Sequence, residues 1–324
     1  MNVLIVKTSS MGDVIHALPV LADIRQHHPD AQIDWLVETP FHQIVKLHPA
    51  IRTVIPMSWR KWRKSLNQAG TRNAIRSLVN TLRAAQYDVV IDLQGLVKSA
   101  AWAKLARGKA LHGYDWRSAR EPLASLAYSR THTVSTDLLA IERSRKLCAA
   151  ALGYPQPQRR DFGIQAPAQQ AQDWHVAPTY WACIHGSSDE ARLWPQADWV
   201  KLAVLGQAQG VGVVLIWGSD AERLRSEQLQ NAMQALGIAA FVPPFLTIAH
   251  TAQVIAQAKA VVGLDTGFTH MAGALGKPCI SLHRTHDPAR TGVQGDAQCF
   301  ALGGKGQTPS YADVAAAFQT LLSA

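Results

Sequence analysis

The sequence predicts an α/β protein built from two Rossmann-like domains, and three observations carry that prediction. Short β-branched apolar runs alternate with amphipathic helical patterns along the chain, the rhythm of parallel sheets covered by helices on both faces. A proline-rich polar stretch interrupts that rhythm once, after which it restarts. The 324 residues also exceed the usual size of one domain and suffice for two, each with its own core.

In the first half, strand signals fall at residues 2–7, 32–37, 53–56 and 88–93, separated by helical patterns at 14–27 and 73–86. The interruption runs from Tyr154-Pro155-Gln156-Pro157 to Pro167-Ala168-Gln169-Gln170 and reads as a linker. Strand signals then return at 180–185, 212–217, 260–264 and 278–282, with helices at 197–207, 221–235 and 247–258. This divides the chain into a first domain over 1–160 and a second over 161–308. Residues 309–324 form a last segment, whose helical pattern at 311–322 is expected to pack back on the first domain.

Composition narrows the class. A hydrophobic content of 48% in unbroken patterns argues against long disorder. No run approaches the ~18 apolar residues that a membrane-spanning helix needs. The chain enters its first strand without a basic leader or cleavage site, so a cytoplasmic protein is expected. Cys148, Cys183, Cys279 and Cys299 lack CxxC spacing and read as reduced core thiols without a redox role.

Charge is divided unevenly. Residues 1–160 hold 23 Lys and Arg against 11 Asp and Glu, and the remainder holds 9 against 12. The excess in the first half collects in Arg60-Lys61-Trp62-Arg63-Lys64 and in the stretch with Arg117, Arg120 and Arg130. Arginine forks there suit phosphates or carboxylates. Nucleic acid and an anionic membrane surface are both candidate partners, and a merely solubilising surface is the third reading.

Two strand-to-helix turns carry the chemistry. The first is Ser9-Ser10-Met11-Gly12-Asp13, and the second is Asp265-Thr266-Gly267-Phe268-Thr269-His270. Such turns aim backbone N–H groups and the positive helix end at whatever fills the crevice. The first lacks G-x-G-x-x-G, which weakens a dinucleotide-binding dehydrogenase. Asp13 reads either as a proton acceptor beside a close-approach glycine, Gly12, or as a simple helix-start carboxylate. Asp92, in Val89-Val90-Ile91-Asp92-Leu93-Gln94-Gly95, is a rival that reads equally as a buried structural group. In the second turn, Asp265, Thr266, Gly267 and a His270 one turn further on, on the accessible side, point to a phosphate site, the alternative being that His270 is a packed helix histidine. His185-Gly186-Ser187-Ser188 with Arg192 is a second anion-reading set, suited to a diphosphate. Glu222 reads as an acceptor of ribose hydroxyls or as first-turn helix charge. His283, His286 and Asp287 lie among Arg284 and Arg290, an unfavourable setting for a cation, and read as a loop. Neither H-E-x-x-H nor D-x-D occurs, so no metal is called for.

At these residues the sequence resembles the lipopolysaccharide heptosyltransferases, which are ADP-heptose glycosyltransferases of the GT-B fold. The resemblance covers nearly the whole chain. It is carried by the opening from Val3 to Asp13, by Asp92-Leu93-Gln94-Gly95-Leu96-Val97-Lys98-Ser99-Ala100, by Ala119-Arg120-Glu121-Pro122-Leu123-Ala124-Ser125-Leu126, and by Asp265-Thr266-Gly267 with His270. The Lys7-Thr8-Ser9-Ser10 opening favours the first heptosyltransferase over the second. What the resemblance implies is two facing Rossmann-like domains with a catalytic cleft between them. It implies inverting transfer of L-glycero-D-manno-heptose from ADP-heptose to the inner Kdo of Kdo2-lipid A at an anionic inner-membrane surface, without nucleic acid, cofactor or metal.

By the same resemblance, Asp13 is the base, Ser187, Ser188 and Arg192 meet the diphosphate, Glu222 meets ribose and Leu246 lies beside adenine. Asp265, Thr266, Gly267 and His270 surround heptose and phosphate, and Ser10, Gly12, Arg60, Arg63, Lys64 and Arg120 face the acceptor. The chain departs from the family in carrying Arg192 where Lys is common, and serines at 187 and 188. A guanidinium grips phosphate differently from an ammonium. Another lipopolysaccharide heptosyltransferase, a nucleotide-sugar epimerase of the same fold and a nucleic-acid-binding protein remain the competing readings.

Overall fold

The computed structural model describes residues 1–168 and 178–323. Gln169 and Gln170 of the expected linker lie outside the described residues. The chain divides into two compact units, Met1–Ile164 and Gln165–Ala324, with the division inside the proline-rich stretch.

In the first unit the strands are β1 (Asn2–Val6), β2 (Gln32–Glu38), β3 (Ile51–Met57), β4 (Gln86–Asp92), β5 (Arg107–Tyr114) and β6 (Arg130–His132). The helices are α1 (Met11–Ala17), α2 (Pro19–His27), α3 (His42–Lys46), α4 (Trp59–Trp62), α5 (Ala69–Ala84), α6 (Val97–Lys104) and α7 (Ala140–Leu152). Among the described residues the strands form one parallel sheet in the order β3-β2-β1-β4-β5-β6. The order reverses direction between β1 and β4, and it is outside the carboxyl ends of such a strand pair that α/β sheets collect ligands. The single helix expected over 14–27 is two, because Pro19 opens α2 and a proline has no N–H to continue α1. One face of the sheet packs Leu4, Val6, Leu36, Ile55 and Val90 against Leu78, Leu82 and Trp102. On α7, buried Arg145 donates to both carboxylate oxygens of Asp23 at 2.8 and 3.1 Å and to the Pro157 and Arg159 carbonyls. The first turns of the linker are thereby tied to this unit.

The second unit repeats the plan with β7 (Tyr180–Ile184), β8 (Gly212–Leu215), β9 (Ala240–Phe241), β10 (Val261–Leu264), β11 (Cys279–His283) and β12 (Cys299–Gly303). Its helices are α8 (Gln196–Ala208), α9 (Asp220–Gln234), α10 (Ile248–Gln257), α11 (Gly267–Ala274), α12 (Pro288–Thr291) and α13 (Tyr311–Ser323). The sheet order is β12-β11-β10-β7-β8-β9, so its reversal falls between β7 and β10. The last helix belongs to the second unit. Val314, Ala317, Phe318, Leu321 and Leu322 of α13 join Trp181, Trp199 and Leu202 in the second unit's own core, with the Phe318 ring edge-on to Trp181 at 5.2 Å. The apolar stripe of α13 is consumed there. All four cysteines are free. Cys279 and Cys299 pair in register on β11 and β12 with their sulfurs 3.4 Å apart.

Candidate functional site

In the first unit, the reversal point is assembled by the strand ends that flank it. Asp92 ends β4 fully buried. Its Oδ1 accepts from the Gln94 and Gly95 amides at 2.8 and 3.4 Å, and its Oδ2 accepts from Ser99 Oγ at 2.7 Å and the Tyr128 hydroxyl at 2.9 Å. With both oxygens committed, Asp92 is a structural carboxylate rather than a free base. The turn it folds presents Gln94, whose side-chain oxygen accepts from the Thr8 and Ser9 amides at 3.0 and 3.3 Å. The loop after β4 therefore shapes the loop after β1, where Asp13 stands.

Asp13 is the third residue of α1 and half-buried. Its Oδ2 accepts from both the Ser10 amide and the Ser10 hydroxyl, each at 2.8 Å. This is the helix-start role that the sequence left open, and it is present. Among the described residues both of these bonds arrive at Oδ2. Burial works against the charged form of Asp13, but the Lys7 charge and the two Ser10 bonds outweigh it and hold the carboxyl below its ordinary range. Lys7 is itself buried, its Nζ donating to the Leu93 carbonyl at 3.3 Å. Desolvation, with Arg120 and Arg143 nearby, lowers its pKa against the pull of Asp13 and Asp92.

The expected acceptor-side cations lie at the same carboxyl edge of the sheet. Arg60, Arg63 and Lys64 are exposed in and just after α4, which follows β3. The Arg60 amide donates to Glu38 Oε1 at 3.2 Å, and its guanidinium lies over the Phe41 ring. Glu38, at the end of β2, is buried, and burial raises its pKa despite the Arg60, Lys98 and Arg63 charges around it. Arg120 is exposed beside Gly95, whose positive φ of 67° suits glycine; a Cβ there would lie 3.3 Å from the Arg120 amide. Ser10 caps α1, and Gly12 lies in its first turn.

In the second unit, the turn after β10 and the loop after β7 meet across the reversal point. Arg192 Nη1 donates to the Asp265 carbonyl at 3.2 Å, and its Nε lies 3.5 Å from the Asp189 carboxylate. Gly186, Gly218, Glu222, Thr266 and Phe268, with Ile184, Ile216 and Trp217, line one cleft of about 70 Å3. Glu222 accepts from the Gly218 amide at 2.7 Å. A Cβ on Gly186 would come within 2.5 Å of the Glu222 carboxyl carbon, so glycine makes room for that acid. Thr266 caps α11 without a side-chain cap bond, and its buried hydroxyl has no partner among the described residues. An unpartnered buried hydroxyl at a helix N-terminus is suited to an anionic oxygen. Gly267 begins that helix. Ser187 and Ser188 occupy the loop directly after β7, the Ser187 Oγ accepting from the Asp189 amide at 3.2 Å.

Several expectations change at this point. His270 is not on an accessible face: it is 6% exposed, and its Nε2 turns back to Asp265 Oδ1 at 3.3 Å. His185 does not contribute positive charge to the anion-reading set, because burial and the Arg225 charge push its pKa down to about 3 and its ring bonds Ser226 Oγ at 2.7 Å. The His283 to Asp287 stretch is only partly a loop. His283 ends β11, fully buried, with Nδ1 3.6 Å from Asp265 Oδ2. His286 Nδ1 contacts that same oxygen at 2.9 Å. Burial disfavours the Asp265 charge, but His270 and His283 outweigh it and hold the carboxyl far below the usual range. The parallel pairing Leu264↔Leu282 puts the residues after both strands at one edge, a signal that sequence spacing alone conceals. Leu246 is buried in the segment between β9 and α10 and is not among the residues lining the cleft. Among the described residues no group of three or more His, Cys, Asp or Glu is arranged to hold a metal ion.

Two Rossmann-like units, each with its functional turns at the point where its strand order reverses, are the architecture of a GT-B glycosyltransferase. The family model for glycosyltransferase family 9 (heptosyltransferase) matches residues 75–315, and the chain belongs to that family. It is 41% identical over 300 residues to lipopolysaccharide heptosyltransferase 1 of Salmonella typhimurium, covering 92% of this chain and 93% of that one. It is similar to the solved structure of the E. coli heptosyltransferase WaaC with ADP, at a TM-score of 0.89 and 38% identity over 99% of this chain and 100% of that one. The same E. coli enzyme with ADP-2-deoxy-2-fluoro heptose matches at a TM-score of 0.88 and 37% identity, over 100% of this chain and 99% of that one.

Proposed function

We propose that this chain transfers L-glycero-D-manno-heptose from ADP-heptose to the inner Kdo of Kdo2-lipid A, by a single displacement that inverts the anomeric carbon. Asp13 takes the proton from the attacking Kdo hydroxyl while the bond to ADP breaks. The observation that carries this reading is the second unit's cleft, where Glu222, Gly186 and the unpartnered Thr266 hydroxyl converge beside Arg192. It offers a hydroxyl-accepting acid next to anion donors, which is the chemistry of a ribose and a diphosphate. The ADP and ADP-heptose analogue held by the E. coli relative support the same donor.

The residue roles proposed combine this chemistry with what the family resemblance implies. Arg192 and the N-terminus of α11 offset the charge that grows on the leaving diphosphate, with Ser187 and Ser188 as further donors. Glu222 accepts from ribose, Leu246 borders adenine, and Asp265, Gly267 and His270 frame the heptose. Asp13 stays ionised at neutral pH because of Lys7 and Ser10, so one base suffices and no enzyme nucleophile is needed. Arg60, Arg63, Lys64 and Arg120, with Ser10 and Gly12, receive the anionic acceptor. Among the described residues no helix is long and apolar enough to cross a membrane, and the working place proposed is the cytoplasmic face of the inner membrane.

The test is to incubate the protein with ADP-heptose and Kdo2-lipid A and weigh the lipid by mass spectrometry. Addition of one heptose with stoichiometric ADP is expected. ADP released equally without the lipid, as an epimerase-like side reaction would give, overturns the transfer reading.

A further inference from the structure

We infer that the 3-10 helix Pro122–Ala127 is a wedge that enters an anionic lipid surface, with Leu123 and Leu126 as its inserting residues. This rests on the reading above, in which the acceptor is a lipid, and it names the surface that touches the bilayer.

The argument begins with an inversion of ordinary burial. Ala124 of this short helix packs into a cluster with Ala100 of α6 and Tyr128. Leu123 and Leu126, the larger apolar residues, are instead 62% and 73% exposed. In a 3-10 helix, side chains three residues apart eclipse one another, so the two leucines form a single ridge. Scattered exposed leucines are ordinary on a protein surface, whereas an aligned convex ridge is not.

The ridge is held firmly. The Glu121 amide donates to the Gly95 carbonyl at 2.9 Å, and the Val97 amide donates to Glu121 Oε2 at 2.7 Å. Ser125 Oγ closes the turn on the Pro122 carbonyl at 2.7 Å. The start of the ridge is thus fixed beside the start of α6, where Val97 is 46% exposed. Trp116, on the connection that leads into it, is 53% exposed.

Charge selects the occupant. Residues 97–130 carry seven Lys and Arg and two acids, Asp115 and Glu121. Both acids are engaged locally, Glu121 with the Val97 amide and Asp115 with Ser118 and Thr133. Arg117, Arg120 and Arg130, five and two residues before the 3-10 helix and three after it, remain exposed. An apolar ridge flanked by cations matches the boundary between anionic headgroups and acyl chains. A protein partner would need a groove shaped to receive the ridge; a bilayer deforms around it. Insertion would carry Arg120, two residues before Pro122, to headgroup depth.

The test uses the full chain and vesicles that contain no acceptor, either phosphatidylcholine alone or with about 30% phosphatidylglycerol. The wild type should co-sediment with the anionic vesicles and much less with the neutral ones. Leu123→Ser/Leu126→Ser should partition about ten-fold less, while turning over a deacylated, water-soluble acceptor as the wild type does. Leu224→Ser/Leu236→Ser, at the exposed leucines of the second unit, should bind vesicles like the wild type. If the double variant fails to fold, the single variants Leu123→Gln and Leu126→Gln, each expected to lose about three-fold, carry the same reading. Equal partition of ridge variants and wild type would overturn the proposal, as would a wild type that ignores anionic vesicles. So would a dimer in sedimentation velocity that Leu123→Ser/Leu126→Ser dissociates. Failure of heptose transfer to the soluble acceptor would count against the proposed reaction and leave the vesicle result to stand alone.

Discussion

Replacing Asp13 by Asn separates the helix-start role that this side chain holds from the base role proposed for it. An amide oxygen can still accept from the Ser10 amide and hydroxyl, which now reach Asp13 Oδ2 at 2.8 Å, so the start of α1 keeps its geometry. What is lost is the charge at a helix N-terminus, worth about 0.3–1 kcal/mol. For a unit spanning Met1–Ile164 that corresponds to a fall in Tm of roughly 1–4 °C. The same change removes the proton acceptor, and general-base help is typically worth ~10² to 10⁴-fold, or roughly 2.7–5.5 kcal/mol of barrier. The catalytic loss should therefore exceed the stability loss several-fold in free energy. Initial rates of ADP release, measured with saturating acceptor well below Tm, give kcat, and calorimetry on the same preparation gives Tm. A variant whose kcat stays within ten-fold of wild type would reduce Asp13 to a helix cap and remove it from the reaction.

Three further outcomes follow. Asp92→Asn should lower Tm by roughly 2–24 °C, because an amide nitrogen in place of one oxygen orphans one or two buried donors at a cost of ~1–3 kcal/mol each; a melting curve matching wild type would show that the four bonds carry no weight. Arg192→Ala should weaken ADP binding in calorimetric titration, with Arg192→Lys recovering part of it, and an unchanged titration would move the diphosphate elsewhere. Stability should fall as pH drops from about 6.5, because buried His185 and His48, pushed down to about 3 and about 4, take up protons only on unfolding. A depressed folded pKa leaves the unfolded state binding more protons in that window, so Tm must decline there. A flat Tm between pH 7 and 5 would contradict the burial of these rings.

The architecture was legible because parallel strands buried on both faces are written as β-branched runs, and those runs carried β1, β2, β3, β4, β7, β8, β10 and β11. The strands beyond β4 in the first sheet were harder to read. β5, reading Arg-Gly-Lys-Ala-Leu-His-Gly-Tyr, is exposed along its first residues, and its polar and glycine content hides it among loops. The candidate site was legible where a single turn holds its own residues, as at Asp13 and Thr266. It was hidden where neighbouring strands supply the partner: Gln94 for the first turn, His283 and His286 for Asp265. The helical pattern of α13 was also visible, but amphipathicity alone does not say which core receives it.

The Gln94 bridge sets a rule for anyone who edits this scaffold. Because one side-chain oxygen pins the amides of Thr8 and Ser9, the segments following β1 and β4 behave as a single machined part. Swapping either from a relative while keeping the other would leave two buried donors facing a mismatched surface. Chimeras ought to exchange the pair together, or neither.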